Sequence, residues 1–273
     1  MSNNMSISSI KEYYNNLCTK AKEWSAAYYE QDAPVVTDEE YDSVMHEIRD
    51  IEAAHPEFVT ADSPTQVVGG KRVLGIPVEH RVPMLSLLDV FSDDEVRSFV
   101  DSVKAEYSDV TFSVERKIDG LSLSLVYERS DDGLAYLTQA STRGDGHVGE
   151  DVTAALTCLP RSIELPKGIG KIELRGECYM SEKDFEAANA KQAEAGKKLF
   201  ANPRNCAAGS LRQADPSIAR ERNLQVFVFN VQSVNNGDAA QFSPYHCDQL
   251  NYLRDICDFK TTYYAHCNDI DSI

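Results

Sequence analysis

The stretch that organises this sequence reads SVERKIDG at residues 113–120 and continues directly as LSLSLVY at residues 121–127. Apolar residues occupy every second position from Leu121 to Tyr127, which is the period of a strand with one buried face. Residues 111–116 are predicted to form another short strand. The residues between these two strands therefore make a tight corner.

This corner places Lys117 between two carboxylates, Glu115 and Asp119. Gly120 ends it, and a glycine can take backbone angles that other residues avoid. A lysine held rigidly in this way is well placed for chemistry. An isolated Lys-x-Asp-Gly is usually an ordinary turn with solvated charges, so the functional interpretation depends on the rest of the chain.

The composition is that of a soluble globular protein. The chain has 273 residues, of which 42% are hydrophobic and 26% charged, as in ordinary proteins of one or two domains. It has no apolar run of about 18 residues and no signal-peptide pattern, so we expect no membrane contact. Its seven cysteines are scattered without a Cys-x-x-Cys pair. We therefore expect no disulfide framework, no protein-held metal, and a reducing cytoplasm.

The charge is unevenly distributed. The net charge of −17 argues against a chain that grips nucleic acid over its whole surface. Residues 1–70 contain 13 acidic and 4 basic side chains, whereas residues 197–222 contain six basic and two acidic ones. The second segment, the basic cluster, is either a local phosphate-binding patch or a solvated face.

Hydrophobic spacing predicts an α+β protein. Steps of three and four residues predict a helix over residues 6–29, and a capping box that starts at Thr37 predicts a second helix ending by His55. Further helices are predicted near residues 92–107, 181–195, 204–213 and 245–256, and strands near residues 111–116, 121–128, 134–142, 171–179 and 224–231. Several strands follow one another too closely for helical crossovers. We therefore expect a small helical domain over residues 1–70 and an antiparallel-sheet domain over residues 71–273.

Four further segments are rich in phosphate-binding or turn-forming residues: STRGDG at 141–146, ELRGE at 173–177, FANPRNCAAGSLRQ at 200–213 and VFVF at 226–229. Each is weak alone. In this order, and together with the lysine corner, they resemble the NAD-dependent DNA ligases. The segments at 28–34 and 38–42 resemble that family's small helical domain, which recognises nicotinamide mononucleotide (NMN) and separates these ligases from ATP-dependent ones.

The resemblance implies a nucleotidyltransferase (adenylation) domain in which Lys117 attacks the adenylyl phosphorus of NAD, releases NMN and carries AMP. Arginine and Mg²⁺ are expected to stabilise the phosphate charge. The implied nucleotide contacts are Ser86, Leu87, Glu115, Asp119, Arg143, Glu177 and Phe229. Among these, Glu115 is expected to accept the adenine amino group, and Phe229, where the family usually has tyrosine, to stack on the adenine ring.

Two further groups of contacts follow from the same resemblance. Tyr28, Asp38, Tyr41 and Asp42 match positions that hold NMN, where carboxylates and aromatic rings suit a cationic nicotinamide. Arg204 and Arg212 match contacts to nicked double-stranded DNA, in agreement with the basic cluster.

The sequence departs from the family in two places. Leu88 and Asp89 stand where the family has an acidic or small residue followed by asparagine. The family's last nucleotidyltransferase motifs and its oligonucleotide-binding domain would follow residue 255 and are not found. We therefore expect an adenylation domain that is incomplete at its C-terminus, the N-terminal subunit of a split ligase in a bacterial or phage-infected cell. A second polypeptide would carry the missing motifs; a shortened piece of an intact ligase is the alternative.

Two other functions stay open at this point. An ATP-dependent RNA or DNA nucleotidyltransferase would share the lysine corner, but it would leave the N-terminal tyrosines and aspartates without a purpose. A catalytically inactive, ligase-derived binding module would have no reason to retain Lys117, Asp119, Arg143 and Glu177 together.

Overall fold

The computed structural model describes residues 7–31, 35–66, 75–107, 109–213 and 215–273, without the side chains of residues 29–31 and 38. Within these ranges no helix is long and apolar enough to cross a membrane. The chain divides into two compact units, the first made of residues 1–87 and 144–149 and the second of residues 88–143 and 150–273. The sequence-based boundary at residue 70 stays a prediction, and it falls among residues 67–74, outside the described ranges.

The helices and strands have the following bounds. The helices are α1 Ile7–Gln31, α2 Asp38–Ala54, α3 Asp93–Glu106, α4 Glu182–Glu194, α5 Pro203–Leu211, α6 Ser217–Glu221 and α7 His246–Asp255. The strands are β1 Pro77–Glu79, β2 Phe112–Glu115, β3 Leu121–Arg129, β4 Ala135–Thr142, β5 Val148–Glu150, β6 Ser162–Ile163, β7 Lys171–Tyr179, β8 Gln225–Val234 and β9 Tyr264–Cys267. This mixture confirms the predicted α+β class.

In the first unit, α1 and α2 pack around a small apolar core. The capping box predicted at Thr37 is present, because its hydroxyl accepts from the Glu40 amide and the Glu40 carboxylate accepts from the Thr37 amide. The core consists of Tyr14, Leu17, Cys18, Ala21, Met45, Ile48 and Phe58. Buried Glu52 closes it by accepting hydrogen bonds from Tyr14 at 2.8 Å, Ser63 at 2.5 Å and Thr65 at 2.6 Å.

The second unit is built on an antiparallel five-stranded sheet in the order β6-β4-β3-β7-β8, and β2 pairs with β9 in a separate two-stranded sheet. The alternation at residues 121–127 is realised in β3, where Leu123, Leu125 and Tyr127 are fully buried in the main apolar core. Burial of each such side chain contributes about 1.5–3 kcal/mol relative to exposure. The opposite face of β7 carries Glu173, Arg175 and Glu177, all buried.

The predicted strands and helices lie where the spacing placed them, and the shortest elements were missed. Four strands of two to four residues, β1, β5, β6 and β9, and the five-residue α6 had no prediction. A strand of this length shows one or two alternations at most, which is too few to separate it from a loop. The small sheet formed by β2 and β9 was therefore invisible in the sequence.

Candidate active site

The segment Arg116–Gly120 connects two different sheets, because β2 pairs with β9 whereas β3 lies in the five-stranded sheet. The corner is therefore a crossing between sheets, with Lys117 exposed on it. Gly120 does not have the unusual backbone angle that was expected of it, since it is not among the residues with positive φ. It is required for close approach, because a Cβ there would lie 2.1 Å from the Cys178 carbonyl oxygen on β7.

The buried carboxylate of Glu177 lies next to this crossing. Ser122 Oγ donates to Glu177 Oε2 at 2.8 Å. Burial raises the pKa of Glu177, and the Ser122 hydrogen bond and the positive charges of Arg204, Lys117 and Arg143 oppose that rise without cancelling it. The structure thus brings together four residues that the sequence had singled out, from β7, the crossing, the end of β4 and α5.

Arg204 belongs to this cluster. It is the second residue of α5, whose N-cap Asn202 accepts from the Asn205 amide at 2.7 Å. Its Nη1 donates to Asp119 Oδ1 at 3.0 Å, and only 16% of its side chain is exposed, against 66% for Asp119. An arginine assigned to DNA by the resemblance therefore also holds the carboxylate two residues after Lys117. Its DNA contact stays a prediction.

Arg212 lies at the opposite end of α5. Its Nε is 3.5 Å from Oε2 of the buried Glu150, and 21% of its side chain is exposed. That Nε is buried and donates no hydrogen bond in good geometry. Arg204 and Arg212 thus face different carboxylates, and the predicted DNA contact of Arg212 also stays a prediction.

Glu115 is held by three donors. His246 Nε2 lies 2.7 Å and Ser113 Oγ 2.8 Å from Oε1, and Thr262 Oγ1 donates to Oε2 at 2.7 Å. Burial alone would raise the pKa of Glu115, but these hydrogen bonds outweigh burial and lower it. His246 and Thr262 are 131 and 147 residues away along the chain. The sequence did not predict either contact, because no local pattern indicates a contact between residues so far apart in the chain.

Phe229 lies at a β-bulge. Gly176 pairs with Val228 and Arg175 with Asn230, which leaves Phe229 as the extra residue of β8. A bulge re-aims a side chain and is frequent beside active sites. Phe229 is half-buried, and the neighbouring Phe227 stacks on Tyr179 with ring centroids 4.9 Å apart.

The polar face of β7 continues behind Glu177. Arg175 Nη1 donates to Glu173 Oε1 at 2.7 Å, and their side chains are 5% and 7% exposed. Ser124 and Ser233 donate to the two oxygens of the same Glu173. A buried ion pair with this many hydrogen bonds holds the side chains on this face of β7, the face that carries Glu177, in a defined arrangement.

The remaining predicted residues belong to the first unit. Tyr28 is half-buried on α1, and Tyr41 and Asp42 are half-buried in the first turn of α2, where Tyr41 packs against the helical core. Asp38 begins α2, and its side chain lies outside the described residues. Ser86 is exposed, and so is Leu87, at 70%.

Two known protein families match this chain, each over a different segment. Residues 76–273 match the family described as NAD-dependent DNA ligase adenylation domain, and residues 7–69 match the family described as DNA ligase-like, N-terminal NAD⁺-binding domain. The DNA ligase of Acetivibrio thermocellus is 45% identical over 253 residues, which cover 91% of this chain and 37% of that protein.

Two other relatives give the same result. The DNA ligase of Lactobacillus delbrueckii subsp. bulgaricus is 48% identical over 227 residues, or 82% of this chain and 33% of that protein. The DNA ligase of Halalkalibacterium halodurans is 40% identical over 259 residues, or 94% of this chain and 37% of that protein. The chain therefore spans between a third and two-fifths of the length of these relatives.

Proposed function

We propose a function from the premise that this chain belongs to the family of NAD-dependent DNA ligase adenylation domains. Lys117 attacks the adenylyl phosphorus of NAD, so that the chain becomes covalently adenylylated and NMN is released. The match of residues 7–69 to an NAD⁺-binding domain favours NAD over ATP as the adenylyl donor.

Attack by Lys117 exchanges one bond at the adenylyl phosphorus for another. The lone pair of the neutral Lys117 Nζ forms a nitrogen–phosphorus bond, and the bond from that phosphorus to the bridging oxygen of the diphosphate breaks. NMN leaves with the electron pair of that bond, and the proton lost from Nζ passes to solvent. The product is a phosphoramidate between Lys117 and AMP.

The observation that carries this proposal is that Lys117, Arg143 and Arg204 lie close enough to the buried Glu177 for their positive charges to lower its pKa. Negative charge grows on phosphate oxygens as the leaving group departs, and fixed guanidinium groups stabilise it. In this proposal Arg143 contacts the phosphate, Glu177 contacts the ribose, and Phe229 stacks on adenine from its bulge. Asp119, fixed by Arg204, keeps the lysine segment in place.

Mg²⁺ was expected from the resemblance, and its role stays a proposal. Among the described residues, no His, Cys, Asp and Glu side chains form a group of three or more that is able to hold a metal ion. The phosphate oxygens of the substrate are the ligands that Mg²⁺ prefers.

NMN recognition is assigned to the first unit. Tyr28, Asp38, Tyr41 and Asp42 are proposed to hold the nicotinamide end of NAD, and Ser86 and Leu87 to line the nucleotide site. The support is chemical, since carboxylates pair with the cationic nicotinamide ring and tyrosines stack on it. These assignments rest on the family and on the match over residues 7–69.

Sealing of nicked DNA is proposed to need segments beyond this chain. The relatives named DNA ligase are roughly 2.7 to 3 times as long as the part that this chain covers, from its 37% and 33% shares of their lengths. We propose that Arg204 and Arg212 contribute to the DNA contact in the whole enzyme. Phosphate contacts of this kind make binding strongly salt-dependent.

The test is intact-mass measurement of the purified chain after incubation with NAD and magnesium. A gain of one AMP is expected, and it should disappear in Lys117→Ala. Lys191→Ala is the matched control, because Lys191 is an exposed lysine on α4 outside the cluster. A gain with ATP and none with NAD would overturn the choice of donor, and a gain that survives in Lys117→Ala would overturn the nucleophile.

A further inference from the structure

We propose that His246 positions the Glu115 carboxylate so that it accepts the 6-amino group of adenine, and that this contact makes the chain prefer adenine over 6-oxo purines. The inference rests on the proposed function, in which Glu115 faces the base. His246 does not touch the substrate in this proposal; it acts through Glu115.

The geometry leaves Glu115 one acceptor position for a ligand. Oε1 receives His246 and Ser113, and Oε2 receives Thr262. An ionised carboxylate has about four acceptor positions, so these three donors leave about one. That position accepts a hydrogen bond and cannot donate one, because an ionised carboxylate carries no proton.

The three donors come from separate parts of the fold. His246 is the first residue of α7, Thr262 precedes β9 and is 3% exposed, and Ser113 is on β2 itself. Rotation of the carboxylate would break at least one hydrogen bond on each oxygen. The side-chain exposure of Glu115 is 20% and that of His246 is 34%, so the pair is partly shielded from water but open to a ligand.

The direction of the His246 hydrogen bond follows from the state of Glu115. Its hydrogen bonds overcome the effect of burial and lower the pKa of Glu115, so it is ionised at neutral pH. An ionised carboxylate only accepts. Nε2 of His246 therefore carries the proton and donates it, which fixes the tautomer of a neutral imidazole.

A fixed acceptor discriminates between purines by a single group. The 6-amino group of adenine donates to the remaining position of Glu115, whereas the 6-oxo group of hypoxanthine places a second acceptor against it. A site built around a hydrogen bond rejects an analogue that cannot form it, because its own buried group is then left unpaired. The discrimination weakens if the carboxylate is free to turn away.

The experiment compares binding of AMP and inosine monophosphate (IMP) to the purified chain by calorimetry. Wild type is expected to prefer AMP, and His246→Ala should lose about tenfold of that preference, the effect of one hydrogen bond to a charged group. His246→Gln keeps a side-chain N–H donor and should retain most of the preference. His266→Ala is the matched control, since His266 is exposed on β9 and bonds Thr111 at 2.9 Å.

A second variant and a measurement without ligand separate the role of His246 from the proposed function. If His246→Ala does not fold, His246→Leu supplies a non-donating side chain of similar size. A preference for AMP that is unchanged in the folded non-donating variant would overturn the role of His246 and leave the proposed function standing. Absence of AMP binding by wild type would overturn both. Carbon-13 NMR adds a ligand-free readout: the pKa of Glu115 should rise in His246→Ala and stay unchanged in His266→Ala.

Discussion

Glu115 and Glu177 flank the same lysine segment, and their surroundings move the pKa values of their carboxyl groups in opposite directions. Both are partly or fully buried, and burial alone raises the pKa of each. At Glu115 three hydrogen-bond donors outweigh burial, so the pKa is lowered. At Glu177 the one hydrogen bond from Ser122 and three nearby cations do not, so the pKa is raised.

The two carboxylates differ in how many of their hydrogen-bond acceptor positions the protein itself fills. The protein itself satisfies most of Glu115, which is therefore preorganised as an acceptor. Glu177 keeps unused acceptor positions and faces positively charged groups, an arrangement that a bound nucleotide would complete. Groups whose surroundings push their pKa values apart mark functional sites more often than groups with ordinary values.

The largest expected effect on the adenylation rate comes from removing the carboxylate of Glu177. Glu177→Gln should slow adenylation of Lys117 about a hundredfold, or about 2.7 kcal/mol of transition-state stabilisation, because the charged acceptor proposed for the ribose is lost. Glu115→Gln should cost about tenfold, since it affects only the base contact. Single-turnover rates at saturating NAD measure both. Equal losses in the two variants would contradict the distinction.

A substitution at Gly120 should disturb the surroundings of Glu177 and leave those of Glu115 unchanged. Gly120→Ala would place a Cβ 2.1 Å from the Cys178 carbonyl oxygen and 3.1 Å from Glu177 Cγ. The lysine segment must then shift, with a cost in unfolding free energy of about 1–3 kcal/mol and a loss of adenylation. Gly209→Ala in α5 is the control, because its nearest contact is 3.4 Å, to the edge of the Phe200 ring. Urea unfolding of both variants checks the cost.

A smaller difference is expected between Arg204 in the first turn of α5 and Arg212, which caps its end. Arg204→Ala should slow adenylation about tenfold, because Asp119 loses its partner and Glu177 loses a nearby cation. Arg212→Ala should leave the adenylation rate within about twofold, but it should cost about 1 kcal/mol of stability, because the buried Glu150 loses the positive charge 3.5 Å away. The paired measurement is a single-turnover rate and an unfolding free energy for each variant.

The smallest effect is in stability as a function of pH. The lowered pKa of Glu115 means that its contribution is present above the ordinary glutamate value of 4.5 and is lost as pH falls through the folded value. Glu115→Gln should therefore destabilise the chain at pH 7 by about 1 kcal/mol, and the difference should shrink in acid.

Glu177 has the opposite sign. Its raised pKa means that its contribution is present below 4.5 and is lost as pH rises through the folded value. Glu177→Gln should then be as stable as wild type or more stable at pH 7. Urea unfolding at pH 4 and pH 7 tests both variants, and a loss of stability in Glu177→Gln at pH 7 would show that its cations, and not burial, dominate.

Part of this site was predictable from local sequence and part was not. Alternation at residues 121–127 gave β3, and the segments around Arg143, Glu177 and Arg204 were found as motifs; the structure then brought these residues around one carboxylate. The role of Gly120 was predicted wrongly, because a requirement for close packing and one for unusual backbone angles both select glycine. Only the neighbouring Cys178 carbonyl distinguishes them.

The donors to Glu115 could not be found in the sequence. His246 opens an amphipathic helix and Thr262 lies in an irregular segment, so each has an ordinary local explanation. Thr262 reaches Glu115 next to the pairing of β2 with β9, which brings residues 112–115 beside residues 264–267. Pairing over such a separation is set by tertiary packing, and neither strand is long enough to reveal it.

The crossing between the two sheets also has a mechanical consequence. A rigid rotation displaces a point in proportion to its distance from the axis, and the chain passes from the small sheet to the large one through Arg116–Gly120. Tilting of the β2-β9 pair about this passage would carry the far end of β9 through a wide arc and Lys117 through a narrow one. Lys117, the nucleophile in our proposal, would therefore stay almost in place during such a tilt.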